Sequence, residues 1–344
     1  MIGQGQAIVL APSTLIAQPT MAETRYTLLE FADLSGWSGD DHDAALEVFR
    51  NTCMDLEDPD WRALCGVAGE VSAARPFFET MFKPVLVEDG SDGLLTGYYE
   101  PELNGALRPD DRFRYPLYRL PPTPPQGGWP TRREIEEDGV LNGQGLEILW
   151  VDDPVALYFL HIQGSGRVRL PDGQVRRVGY GGKNGHEYSS VGLELISRGI
   201  FEEHEVSADG IGNWVRRNPE EGPELLWTNA SYVFFREVDE VPADKGPLGT
   251  MNRSITPGRS LAVDPAYVPL GAPVWMERGG DKAQSRLMIA QDTGSAIRGA
   301  QRADLFVGTG ADAGREAGQI KDPLRLVALM PIQRAYALSS EHIG

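Results

Sequence analysis

Between Arg286 and Gly318 the chain reads RLMIAQDTGSAIRGAQRADLFVGTGADAGREAG, and this stretch restricts the possible folds more than any other. Leu287, Met288, Ile289 and Ala290 make an apolar run short enough for a buried strand. It breaks at Gln291-Asp292-Thr293-Gly294, where strand propensity gives way to turn chemistry. Asp304 follows twelve positions after Asp292, just before Leu305-Phe306-Val307, a second short run that stops at Gly308-Thr309-Gly310. Both carboxylates are thereby expected on strand edges. A rigid sheet or barrel fixes groups there while leaving one side open to a substrate. An Asp beside Gly or Thr also commonly caps its own turn, so the neighbours alone assign neither residue a role.

The rest of the chain suits a barrel protein. Short β-rich runs recur at Pro84–Val87, Gly93–Tyr99, Tyr115–Tyr118, Leu146–Trp150 and Val155–Ile162. Turn residues separate them, in a chain of 344 residues with 40 Gly and 25 Pro. Arg167 to Val178 reads as a hairpin around Asp172-Gly173, a dipeptide that tolerates the positive φ of a tight turn. Further strands are expected at Ser260–Val263 and Ala272–Met276. Helices are expected at Ser190–Arg198, ended by Gly199, and at Ser207–Asn218, ended by Pro219.

Near the start, Ala45, Val48, Phe49 and Met54 repeat at helical spacing, and Trp61, Leu64, Cys65 and Ala68 begin a second stripe capped by Asp58 or Asp60. The two cysteines of the chain, Cys53 and Cys65, fall one on each arm of this helical hairpin. They can bridge it in an oxidising compartment or serve as small buried hydrophobes in a reducing one.

Fifty acidic against 32 basic side chains give a net charge of −18, which supplies no phosphate-neutralising face and argues against a nucleic-acid partner. His42, His161, His186, His204 and His342 are scattered, and no Cys/His cluster has ligand spacing, so no metal is expected. In GYGGKNG, Asn184 stands where a phosphate loop would place Ser or Thr. The apolar stretch Ala7–Ala17 is interrupted by Pro12, Ser13 and Thr14, too short for a membrane span, and the first positive charge is Arg25. Residues 1–23 are read as a flexible terminus or the remnant of an export signal.

The Asp292–Gly299 and Arg302–Gly308 runs and the helix start at Ala311–Gly318 together resemble the 3D domain of the membrane-bound lytic transglycosylase A family, which cleaves peptidoglycan glycan strands. Five upstream runs match in collinear order: TGYYEP (96–101), HIQGSGRVRL (161–170), GYGGKNGHEYSSVG (179–192), NASYVFF (229–235) and GRSLAVDPAYVPLG (258–271). The resemblance implies a mainly β fold, in which residues 24–100 and 237–344 form a double-psi β-barrel. Residues 101–236 form an inserted second β-barrel, and the glycan lies in a groove between the two. The 3D segment would span about 258–331.

The resemblance further implies a location in the periplasm, possibly at the outer membrane, which favours the disulfide. No cysteine lies near the start, so the lipid anchor that such proteins often carry is not supported. It also implies no cofactor, peptidoglycan glycan strands as the partner, and a monomer. Partners from cell-wall synthesis have no visible motif.

Glycosidic cleavage needs a carboxylic acid that protonates the leaving oxygen, and ordinary hydrolases add a second carboxylate. The resemblance assigns the acid to Asp304, which would then act as base toward the muramyl C6 hydroxyl, with Asp292 as its supporting carboxylate. Asp264, in a Val-Asp-Pro turn, is expected to be structural. Leu305, Phe306 and the charge of Asp292 are each able to raise the pKa of Asp304. Thr96, Gly97, Tyr98, Tyr99, Glu100, Gln163, Gly164, Ser165, Gly166, Lys183 and Asn184 are expected to bind substrate, with Tyr99 and the 163–166 loop facing Asp304. Two rivals stay open, an inverting hydrolase with Asp292 or Asp264 as base and a noncatalytic peptidoglycan-binding protein.

Overall fold

The computed structural model describes residues 24–53, 56–123 and 128–340. Strands β1 (Arg25–Leu28), β2 (Phe82–Glu88) and β3 (Leu94–Glu100) open the chain. They are followed by β4 (Glu102–Ala106), β5 (Tyr115–Tyr118), β6 (Glu147–Val151), β7 (Gly166–Arg169), β8 (Val175–Lys183) and β9 (Val233–Glu237). The chain ends with β10 (Ser260–Val263), β11 (Pro273–Arg278), β12 (Gln284–Asp292), β13 (Arg302–Thr309) and β14 (Lys321–Pro331). Helices α1 (His42–Cys53), α2 (Pro59–Glu70) and α3 (Ala74–Met81) precede β2. Next come α4 (Arg132–Glu136), α5 (Pro154–Gln163), α6 (Val191–Ser197), α7 (Ala208–Arg217) and α8 (Glu221–Trp227). The last two are α9 (Gly310–Ala317) and α10 (Ile332–Ser340). The expectations for residues 1–23 and for Met54 fall outside the described residues.

One sheet runs β1-β2-β14-β11-β12-β10-β13-β3, and an added pairing of β14 with β3 closes six of its strands into a barrel. Closure depends on the length of β14. Lys321, Asp322 and Pro323 pair with β3, while Val327 to Pro331 pair with β2. Two pairings are parallel, β10 with β12 and β3 with β13, as a double-psi barrel requires; the other barrel pairings are antiparallel. The second sheet runs β5-β6-β4-β7-β8-β9 and is built wholly from residues between β3 and β10.

Strands β11 and β12 are buried on both faces, with Val274, Trp275, Met276 and Leu287 to Ala290 fully buried; one face fills the barrel and Trp275, on the other, packs on Trp37. Strands buried on both faces read as continuous apolar runs, which is why Leu287–Ala290 shows no alternation. Helices α1 to α3 seal one side through stacked rings. Phe49 lies 6.0 Å from Phe77, 6.2 Å from Phe78 and 5.9 Å from Phe82. Each such ring removes on the order of 150–250 Å² from water, so this cluster contributes strongly to the contact between helices and sheet. Cys53, which ends α1, and Cys65 in α2 are joined by a disulfide with Cα atoms 5.3 Å apart.

The segment Val155–Ile162, expected as a strand, is helix α5. Asp153 accepts a hydrogen bond from Val155 N, Pro154 takes the first helical position and Gly164 ends the helix at φ 77°. Its residues are apolar nearly all round because two separate clusters cover it. Val155 and Tyr158 pack with α6, α7 and α8, while Leu157 and Leu160 pack under the second sheet. That double burial erased the helical period.

Candidate active site

Strands β3 and β13 run in parallel register with Thr96 opposite Asp304. Alternation along a strand puts Thr96 and Tyr98 on one face of β3, and Arg302, Asp304 and Phe306 on one face of β13. Contacts bear this out. Thr96 Oγ1 donates to Asp304 Oδ1 at 2.6 Å, and the Tyr98 ring lies 5.3 Å from that of Phe306. Leu305 points the other way, into the barrel core. Asp304 is the third residue of β13, not the residue before it, so its backbone is held by ladder bonds on both sides.

The two carboxylates are treated very differently. Asp292, at the end of β12, accepts four hydrogen bonds. Thr250 N at 2.9 Å, Thr250 Oγ1 at 2.8 Å and Thr293 N at 2.9 Å reach Oδ1, and Tyr98 OH at 3.0 Å reaches Oδ2. Asp304 accepts one bond, on Oδ1; its Oδ2 takes none from the described residues. Both groups are half-buried. Burial pushes Asp304 up to about 6 against the bond from Thr96 and the charge of Arg302, and the like charge of Asp292 adds the smallest contribution. Burial also raises Asp292, while its hydrogen bonds oppose the rise. Of the causes that sequence leaves open, removal from water therefore dominates.

The other expected site residues separate into groups. Tyr98 belongs with the carboxylates, whereas the Tyr99 ring lies against Gly314 of α9, where an added Cβ would come within 2.8 Å of it. Tyr99 is therefore corrected from facing Asp304 to packing on α9. Its backbone N donates to Gln163 Oε1 at 3.1 Å, so Gln163 ties the inserted sheet's α5 to β3. Glu100 is fully buried, and accepts from Arg167 at 2.8 Å, Arg177 at 2.9 Å and Thr309 at 2.8 Å. It clamps β7 and β8 to the start of α9 and cannot also bind sugar.

Asn184 is likewise corrected. It is 1% exposed, donates to Pro130 O and Ala230 O, and accepts from Tyr232 N. A Cβ on Gly97 would meet Ala317 and Ile320, and one on Gly166 would meet Leu160 and Pro101, so both glycines serve close packing. Gly164 is the α5 C-cap, Ser165 is half-buried, and Lys183 is exposed at the end of β8. Asp264 accepts from Ala266 N and Gly299 N, the structural role expected of it.

Sequence reasoning missed Thr250 and Arg302. Thr250 lies in a loop with no pattern of its own, but Arg302 stands two residues before Asp304, and the period of a strand alone puts it on the same face. Arg302 Nη2 donates to Thr96 Oγ1 at 2.8 Å.

Among the described residues no group of three or more His, Cys, Asp or Glu is placed to hold a metal ion, and no helix is long and apolar enough to cross a membrane. Asp304 Oδ2 is free to exchange a proton beside a second carboxylate that four hydrogen bonds lock in place.

A family model described as the MltA specific insert domain matches residues 94–236, and another described as the 3D domain matches residues 259–330. A Vibrio cholerae protein named membrane-bound lytic murein transglycosylase A is 36% identical over 262 residues, covering 72% of this chain and 69% of that protein. Among solved structures, a membrane-bound lytic murein transglycosylase from Agrobacterium tumefaciens is similar with TM-score 0.83 at 32% identity, covering 91% of this chain and 99% of that one. MltA from Neisseria gonorrhoeae, in a monoclinic form, is similar with TM-score 0.78 at 33% identity, covering 91% of this chain and 95% of that one.

Proposed function

The chain belongs to the membrane-bound lytic murein transglycosylase A family, and from that premise we propose that it cleaves the β-1,4 bond between N-acetylmuramic acid and N-acetylglucosamine with Asp304 as its single acid and base. Neutral Asp304 gives its proton to the glycosidic oxygen as the bond to muramyl C1 breaks. The resulting carboxylate takes the proton of the muramyl C6 hydroxyl, whose oxygen closes onto C1 as a 1,6-anhydro ring. One exchanging carboxyl suffices because the nucleophile is part of the substrate, where a hydrolase would need a second to act on water or on C1.

The contrast between the two aspartates carries this reading. A general acid should titrate near working pH, and Asp304 at about 6 does so with one oxygen uncommitted. Asp292 has both oxygens taken by four donors and is poorly placed to activate water, which weighs against the inverting hydrolase. A merely structural Asp304 would have been matched with more donors, which weighs against a binding protein. Tyr98 orients Asp292 and packs on Phe306. The family places the protein in the cell envelope. We assign it to the periplasm, where the Cys53–Cys65 bridge would be maintained.

Mass spectrometry of peptidoglycan digested by the purified protein tests the reading. Anhydromuropeptides are expected; hydrated muropeptides would indicate a hydrolase, and intact polymer would indicate a binding protein.

A further inference from the structure

Asp304 has two oxygens, and the bonds around Thr96 decide which one carries the proton. Arg302 Nη2 lies 2.8 Å from Thr96 Oγ1, which lies 2.6 Å from Asp304 Oδ1. A guanidinium has only donors, and a hydroxyl has a single proton. The bond from Arg302 therefore uses the threonine oxygen as acceptor and leaves the threonine proton for Oδ1. Arg302 has little freedom to turn away, because its Nη1 donates to the carbonyls of Leu94 and Ala303 on the same strand pair.

Suppose the acid proton sat on Oδ1 instead. It would point at Thr96 Oγ1, and the threonine proton would lose its acceptor in a half-buried place, where an unmatched donor is costly. With the proton on Oδ2, every donor in the chain from Arg302 to Asp304 is used.

We propose that Arg302 is a positioning residue that acts through Thr96 to hold the acid proton of Asp304 on Oδ2. The same oxygen then gives and takes the proton during transglycosylation. The Oδ2–H bond breaks as the proton passes to the glycosidic oxygen, and it re-forms with the proton of the C6 hydroxyl as the C6 oxygen bonds to C1. This rests on the reading of Asp304 given above. Thr96 and Arg302 also hold the acid below where burial alone would put it.

The test is a double-mutant cycle on the full chain with insoluble peptidoglycan, using Arg302→Met, Thr96→Val and both together. Turnover is compared at about pH 5, where Asp304 should be mainly protonated in every variant. Each single change is expected to lower kcat roughly 10- to 100-fold with little change in KM, the scale set by a misdirected proton donor. The double variant should be no worse than Thr96→Val alone. The alkaline limb of the pH profile should move upward in both single variants, since each loses an influence that favours the carboxylate.

Arg302→Lys keeps a donor and the charge but not the two-pronged anchoring, and should lose less turnover than Arg302→Met. Additive losses, or an unmoved limb in Arg302→Met, would overturn the proposal. Should Arg302→Met fail to fold, a loss in Arg302→Lys as large as that in Thr96→Val would overturn it equally. An Asp304→Asn variant that stays active would instead remove the reading of Asp304 on which the proposal rests.

Discussion

Replacing Asp304 by Asn separates its catalytic from its structural effect, because the two are expected to move in opposite directions. The amide keeps the shape and can still accept from Thr96, but it has no proton to deliver, so turnover should fall at least about 10³-fold. Stability should change with pH. A carboxyl raised from 3.8 to about 6 on folding favours the native state below about pH 4 and loses that contribution as pH rises through about 6. At pH 7.5 the ionised group weakens the native state by up to about 3 kcal/mol, at 1.36 kcal/mol per unit, and by less where solvent reaches the half-buried side chain. Asn does not ionise. Between about pH 4.5 and 7.5 the variant should therefore gain about 1–2 kcal/mol relative to wild type. Urea denaturation at both pH values, with unchanged slopes, measures the difference. Activity within tenfold of wild type, or equal destabilisation at both pH values, would refute the assignment.

Three further outcomes are expected. The kcat/KM of the wild type should fall as pH rises through about 6, the value to which burial raises Asp304, and a profile flat from pH 5 to 8 would contradict a protonated acid in the free enzyme. Glu100→Gln replaces the carboxylate shared by half-buried Arg167 and buried Arg177 with a neutral amide, and should cost about 3–5 kcal/mol in thermal or denaturant unfolding, whereas a surface role would cost under about 1 kcal/mol. Cys53→Ser with Cys65→Ser opens a loop of sequence separation 12 and should cost about 2–4 kcal/mol. Thiol titration of the unreduced, denatured wild type should find no free thiols.

Much of the barrel could be read from the chain because its strands carry local signals. Ser260–Val263 and Ala272–Met276 are apolar and bounded by turn residues, and the Asp172-Gly173 hairpin forms where its dipeptide requires, with β7 and β8 pairing Arg167 to Arg177. Failures occur where tertiary contacts replace periodicity. Helix α5 is coated by two clusters and so lost its polar face, although Asp153, Pro154 and Gly164 had marked its ends. The closure by β14 depends on one long strand changing partners, which no local pattern encodes.

The site follows the same division. Asp292 and Asp304 were singled out by strand-end chemistry and by family resemblance. That Thr96 stands against Asp304 depends on a pairing across 208 residues. Tyr98 and Tyr99 are equivalent in sequence; only the parallel register of β3 on β13 and the position of α9 turn the first toward the acids and the second away. Glu100 and Asn184 show the converse: polar residues in runs that the resemblance assigns to substrate are spent on structure, Glu100 at the junction of the two sheets and Asn184 within the inserted segment.

The most direct measurement digests peptidoglycan in water enriched in ¹⁸O and weighs the muramyl ends. If Asp304 returns its proton from the C6 hydroxyl, C1 is closed by an oxygen already in the sugar. The products should then be 1,6-anhydro ends with no ¹⁸O. Reducing ends carrying one ¹⁸O atom each would show that water attacks C1, and would contradict the single-carboxyl mechanism.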